Sequence, residues 1–93
     1  MKIRVTETAR WQLRLTIPDL ARRGDPEAVQ LAEGVRALLL EPERLGSLLH
    51  PLDGMPELPI RETVIGKYHL YFREVDDTLW LTCIWPPMYA ERR

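Results

Sequence analysis

Ile60–Trp85, IRETVIGKYHLYFREVDDTLWLTCIW, is the stretch whose reading decides the fold. It divides into three runs rich in β-branched and aromatic residues, IRETVI, YHLYFREV and TLWLTCIW, which suit a pleated, half-buried surface. The joints are Gly66-Lys67 and Asp76-Asp77. Gly tolerates positive φ and Asp tolerates tight turns, so both joints predict hairpins. Alternation then assigns faces. In the middle run Tyr68, Leu70 and Phe72 share one side, with His69, Tyr71 and Arg73 on the other. In the last run Leu79, Leu81, Cys83 and Trp85 are expected together, opposite Trp80, Thr82 and Ile84. The apolar side needs a cover, and the sequence upstream supplies one.

Lys2 to Val5 alternates and predicts a first strand. Thr6 is a candidate helix cap with Glu7 in the first turn. Ala9, Leu13, Ile17 and Leu20 then recur at helical spacing, with Trp11 and Leu15 on a neighbouring ridge. Pro18 removes an amide donor and crowds the Arg14 carbonyl, so a kink or break is expected near Ile17. Gly24 ends this helix. Asp25-Pro26-Glu27 starts a second one, which should run to about Glu41 before Pro42 stops it. Its apolar positions are Ala28, Leu31, Ala32, Val35, Leu38 and Leu39. Glu43–Pro59 reads as a loop, with a short edge strand open at Ser47–Leu49. The expectation is a two-layer α+β domain of order β-α-α-β-β-β, an antiparallel sheet covered on one face by a helical hairpin. With 93 residues it is read as a single domain, 1–93.

Composition narrows the function classes. Thirteen basic residues are offset by 14 acidic ones, for a net charge of −1. A nucleic-acid site must therefore be a local patch, since no overall basic excess supplies one. No run approaches the roughly 18 apolar residues of a membrane span, and the first ten residues lack a signal peptide's apolar segment. The expected location is the cytoplasm. A lone Cys83 excludes a disulfide framework and is read as a small hydrophobe. No phosphate-binding glycine loop or HExxH occurs, and His50 and His69 lack metal-ligand spacing, so neither metal nor cofactor is expected.

What remains is the polar set on and around the open face: Arg61, Lys67, His69, Tyr71 and Arg73, with Tyr89 beyond. Guanidinium and ammonium groups contact phosphate, aromatic rings stack on bases, and imidazole moves a proton near neutrality. RNA can be cut without metal by a base, a cation and an acid. Ordinary polar residues on a solvated or partner-covered sheet face are the plain alternative. Trp80 and Ile84, expected outside the core, together with Trp85 in the rigid Trp85-Pro86-Pro87-Met88-Tyr89 segment, form a candidate partner surface.

Across nearly the whole chain the order of elements resembles the RelE/ParE superfamily of bacterial toxins. The residues that carry this are Gly54-Met55-Pro56, Arg61-Glu62, Gly66, Tyr68-His69 and Asp76-Asp77. The resemblance implies the toxin of a type II toxin–antitoxin pair, neutralised by a cognate antitoxin. Two activities stay open beneath it. One is ribosome-dependent mRNA cleavage by a metal-independent endoribonuclease (an mRNA interferase), with His69, Tyr89, Arg61 and Arg73 as catalytic groups and Lys67 and Tyr71 on the RNA. The other is inhibition of DNA gyrase by docking. The RelE-type lysine positions hold Ile60 and Glu62 here, and a RelE-type arginine position holds His69. A non-toxic protein-binding module that keeps only the fold is the alternative, and a homodimer is an open expectation.

Overall fold

A computed structural model describes residues 2–51 and 57–85, the side chains of 45–47 excepted. Its elements are β1 (Lys2–Val5), α1 (Glu7–Arg22), α2 (Glu27–Leu40), α3 (Pro42–Leu48), β2 (His50–Pro51), β3 (Ile60–Ile65), β4 (Tyr68–Val75) and β5 (Thr78–Trp85). The strands form one sheet in the order β1-β5-β4-β3-β2. The class is α+β, as expected. The sheet is mixed, which corrects the antiparallel expectation: β1 runs parallel to β5, and the other pairings are antiparallel. The helices between β1 and the rest act as a crossover, and a crossover permits a parallel pairing that a hairpin cannot.

Local chemistry accounts for the helix limits. The Thr6 hydroxyl accepts the Ala9 amide and starts α1. At its far end Gly24, at φ 68°, donates to the Ala21 carbonyl while Asp25 donates to that of Leu20. This paired closure needs a left-handed residue, and glycine takes that conformation without a Cβ penalty. The Asp25 carboxylate then accepts the Glu27 amide at 2.9 Å and opens α2. Pro18 does not break α1, which is one helix from Glu7 to Arg22. Arg14 and Pro18 are both exposed, so water can serve the carbonyl that the proline leaves open. Pro42 ends α2 but also begins α3, where the expectation was a loop. At a first helical position its missing amide is no loss. The edge strand is His50–Pro51 rather than Ser47–Leu49.

The core lies between the helical pair and one sheet face. Ala9, Leu20, Ala28, Leu31, Val35 and Leu38 pack with Tyr68, Leu70, Phe72, Leu79, Leu81 and Ile84. Gly34 lets α2 lie close on β3, since a Cβ there would come within 2.7 Å of Ile65 Cδ1. No helix among the described residues is long and apolar enough to cross a membrane.

The last strand holds the main departure from simple alternation. Tyr71 pairs with Cys83 but Phe72 pairs with Leu81, so Thr82 is an extra residue, a β-bulge. Beyond it the faces exchange. Ile84, expected outside, is 1% exposed in the core, while Trp85, expected inside, is 55% exposed. Cys83 moves outward with Trp85, across from Tyr71. Hydrogen bonds from side chains and the backbone hold this arrangement. The Thr82 hydroxyl donates to the Tyr71 carbonyl at 3.1 Å. The Thr6 amide donates to the Leu81 carbonyl at 3.1 Å. The buried Gln12 carbonyl oxygen accepts the Ile84 amide at 2.7 Å. β1 ends at Val5, opposite Leu81, so Ile84 lies beyond its reach and a side chain takes that place.

Gln12→Leu leaves the Ile84 amide buried without an acceptor. The expected loss is about 1–3 kcal/mol, seen as a fall in thermal midpoint of roughly 4–8 °C per kcal/mol. An unchanged midpoint would show that the bulge holds without Gln12.

Candidate functional site

The face turned away from α1 and α2 is read off the strand register, because directly paired residues share a face. One row across it holds Arg4, Trp80, Arg73 and Ile60. The next holds Cys83, Tyr71, Glu62 and His50, and a third holds Trp85, His69 and Val64. Arg73 and Val64 are exposed, while Tyr71, Trp80 and Cys83 are half-buried. A shallow hollow of about 340 Å³ opens in the middle, lined by Ile60, Tyr71, Arg73, Thr82 and Cys83. The bulge shapes it, since Thr82 and Cys83 both reach it.

Two of the expected site residues, His69 and Tyr71, gather here around a third, Glu62, that composition did not single out. His69 Nδ1 lies 3.2 Å from Glu62 Oε1. That nitrogen is shut from solvent and has no aligned hydrogen-bond partner among the described residues, so the contact becomes an ion pair when the imidazole is protonated. Aiming Nδ1 at a carboxylate turns the other ring nitrogen away from Glu62, the usual means of orienting a proton-transferring histidine. The His69 and Tyr71 rings lie nearly parallel, 15° apart in plane with centroids at 6.4 Å. Partial burial, then the charge of Glu62 opposite and a hydrogen bond to it, with Cys83 contributing last, hold the Tyr71 phenol above its ordinary value. Tyr71 is therefore a proton donor at neutral pH, not a base.

Arg73 is on the same face, four residues along β4 from His69, or roughly 13–14 Å away. The two are spaced for separate points on an extended ligand, not for one phosphate. Arg61 is a correction. It pairs with Phe72 on the helix-facing side, and its guanidinium donates to the carbonyls of Leu58 at 3.0 Å and Ile60 at 3.3 Å. The β period of two decides this, as Arg61 is one residue out of step with Glu62. Lys67 is also directed elsewhere. From the β3–β4 turn its Nζ stands 3.6 Å from Glu27 Oε2 and 5.6 Å from the centre of the Tyr68 ring.

Of the expected partner surface, Trp80 and Trp85 stand on the open face and Ile84 does not. Tyr89 and the proline-rich segment lie outside the described residues, as does Gly54-Met55-Pro56. The contact of Glu62 with His69 and that of Gln12 with Ile84 were not expected from the sequence. Arg61-Glu62 alternation offered a signal for the first, whereas a lone Gln on a helix offers none for the second. Burial pushes the Cys83 thiol up, only partly offset by a hydrogen bond to Thr82. No family model matches the chain, and no curated protein is similar to it in sequence.

Cys83 should therefore stay a thiol near neutrality. Alkylation by iodoacetamide at pH 8 is expected to run several-fold slower in the native protein than in denaturant. Comparable rates would contradict the burial of the sulfur. Raised values for Cys83 and Tyr71 mean that the folded state keeps these protons longer than the unfolded chain. Their contribution to stability is whole below the ordinary values of 9.0 and 10.0. It is lost as pH rises past them. Urea midpoints measured from pH 7 to 11 should fall only above about pH 9 on this account.

Proposed function

We propose that this chain is the toxin of a type II toxin–antitoxin pair of the RelE/ParE kind, acting on RNA at the open sheet face. The observation that carries the reading is the His69–Glu62 pair set beside Tyr71 on a sheet face that the helices leave uncovered. The strand order supports the kinship: a first strand beside the last, a helical pair on one side, and three consecutive antiparallel strands. In the proposed reaction the RNA 2′-hydroxyl loses its proton to His69 and attacks the adjacent phosphate, giving a 2′,3′-cyclic phosphate as the P–O5′ bond breaks and the leaving 5′-oxygen takes a proton from the acid. Glu62 stabilises the imidazolium that results, and Arg73 binds phosphate further along the strand. The step uses no metal or cofactor. The enzyme would be a cytoplasmic mRNA interferase working in the ribosome, with Tyr89 as a candidate acid.

The same face suits neutralisation by a cognate antitoxin, because Trp85 and Val64 leave apolar surface exposed. A homodimer through that surface is the competing use of it. A second target reading, inhibition of DNA gyrase by docking alone, is favoured by the positions of two cations. Arg61 and Lys67 are tied to the Leu58 carbonyl and to Glu27, away from His69.

Induction in a bacterial host separates these readings. A nuclease should stop translation at once and cut transcripts. His69→Ala should lower cleavage at least about 100-fold and relieve the arrest while the thermal midpoint stays unchanged. Intact transcripts with inhibited supercoiling would favour gyrase. Normal growth and normal supercoiling would leave a binding module that keeps the fold without toxicity.

A further inference from the structure

The open face carries a second constellation that proton transfer at His69 does not use. Trp80 on β5 is paired with Arg4 on β1 at one side and with Arg73 on β4 at the other. Adjacent strands stand about 4.8 Å apart, so an indole lies between two arginine positions within roughly 10 Å across the sheet. Arg4 and Arg73 are both exposed. Lys2 follows one row away, paired with Thr78. Glu62 lies away from this row, in the group with His69 and Tyr71. Lys2, Arg4 and Arg73 thus put three cations along this part of the face, with the acidic Asp76-Asp77 turn beyond Lys2 at its end. The hollow of about 340 Å³ adjoins Arg73, at the lower end of the roughly 300–1,000 Å³ that small-ligand sites occupy.

Each component has a matching ligand group. An indole offers a flat apolar surface on which any base can stack, and guanidinium groups take phosphate oxygens in pairs. Bases inside a duplex are already stacked and leave no face for Trp80, so the ligand is single-stranded. An acidic peptide would satisfy the arginines but brings no planar partner for the indole. We propose that Arg4, Trp80 and Arg73 form a subsite for one unpaired nucleotide of single-stranded RNA, the base on the indole and its flanking phosphates on the two arginines. This rests on the reading of the face as an RNA site and adds to it where the strand runs. Because Arg73 and His69 are roughly 13–14 Å apart along β4, the stacked nucleotide lies away from the bond at His69. It sets the register of cleavage without taking part in it.

The test reads binding, not cutting. In a His69→Ala background, Trp11→Phe and Trp85→Phe leave Trp80 as the one indole of the chain's three. Titration with a hexameric single-stranded oligoadenylate should quench its fluorescence saturably. The slope of log affinity against log salt should shrink by about 0.7 for Arg4→Gln and again for Arg73→Gln. With fluorescently labelled RNA and the other tryptophans restored, Trp80→Ala should weaken binding about 5- to 150-fold. Trp80→Phe should keep most of the affinity, which separates stacking from a folding defect. Absence of quenching would overturn the subsite, as would equal quenching by a duplex of the same length. Tighter binding of single-stranded DNA or of polyglutamate would overturn its assignment to RNA. Growth arrest relieved by His69→Ala without Trp80 quenching would remove this subsite and leave the toxin reading intact. Quenching without any growth arrest would do the reverse.

Discussion

One extra residue in the last strand, Thr82, decides which side chains β5 shows to the helices and which to the outside. A sheet has a period of two, so a single insertion exchanges every later residue between faces. Such an exchange survives only if the loosened backbone is paired again. Here α1 does much of this work. Its cap residue, Thr6, reaches the Leu81 and Thr82 carbonyls at 3.1 and 3.2 Å, and Gln12, two turns along, takes the Ile84 amide. The start of the helix and the kink of the strand are thus one joint. Ile84 closes the core because of it, and Cys83 and Trp85 reach the open face because of it.

The open face owes its character to local sorting of charge. Over the chain, acids and bases nearly cancel. Within the face, Lys2, Arg4 and Arg73 lie toward one end, and Glu62 with His69 and Tyr71 toward the other. In a partly dehydrated setting a carboxylate beside an imidazole orients it, while exposed guanidinium groups such as Arg4 and Arg73 can meet an anionic ligand. Strand geometry keeps His69 and Arg73 apart, with Tyr71 between them on β4.

The helical layer is built from short-range rules that the chain obeys closely. Thr6, Gly24 and Asp25 each act where a cap or a stop is needed. Asp19 is held on α1 by Arg22 and Arg23, each at 3.0 Å. Where the rules were read too strictly, the reason is solvent. A proline within a helix is tolerated when the carbonyl it strands faces water, as at Arg14. A proline that ends one helix can also open the next, as Pro42 does.

Alternation and capping by themselves determined the α+β class, the two hairpin turns, the outer ends of α1 and α2 and the faces of β4, because each depends on neighbours within a few residues; the continuity of α1 through Pro18 and the helix α3 they did not. They placed His69, Tyr71 and Arg73 outside and Tyr68, Leu70 and Phe72 inside, as found. Tertiary structure alone decided the parallel seat of β1, the bulge at Thr82, the inward turn of Ile84 and the withdrawal of Arg61 and Lys67. It also made Glu62 the partner of His69. These depend on pairings between residues far apart in the chain. A register between strands is a property of two segments together, so neither segment's own pattern contains it.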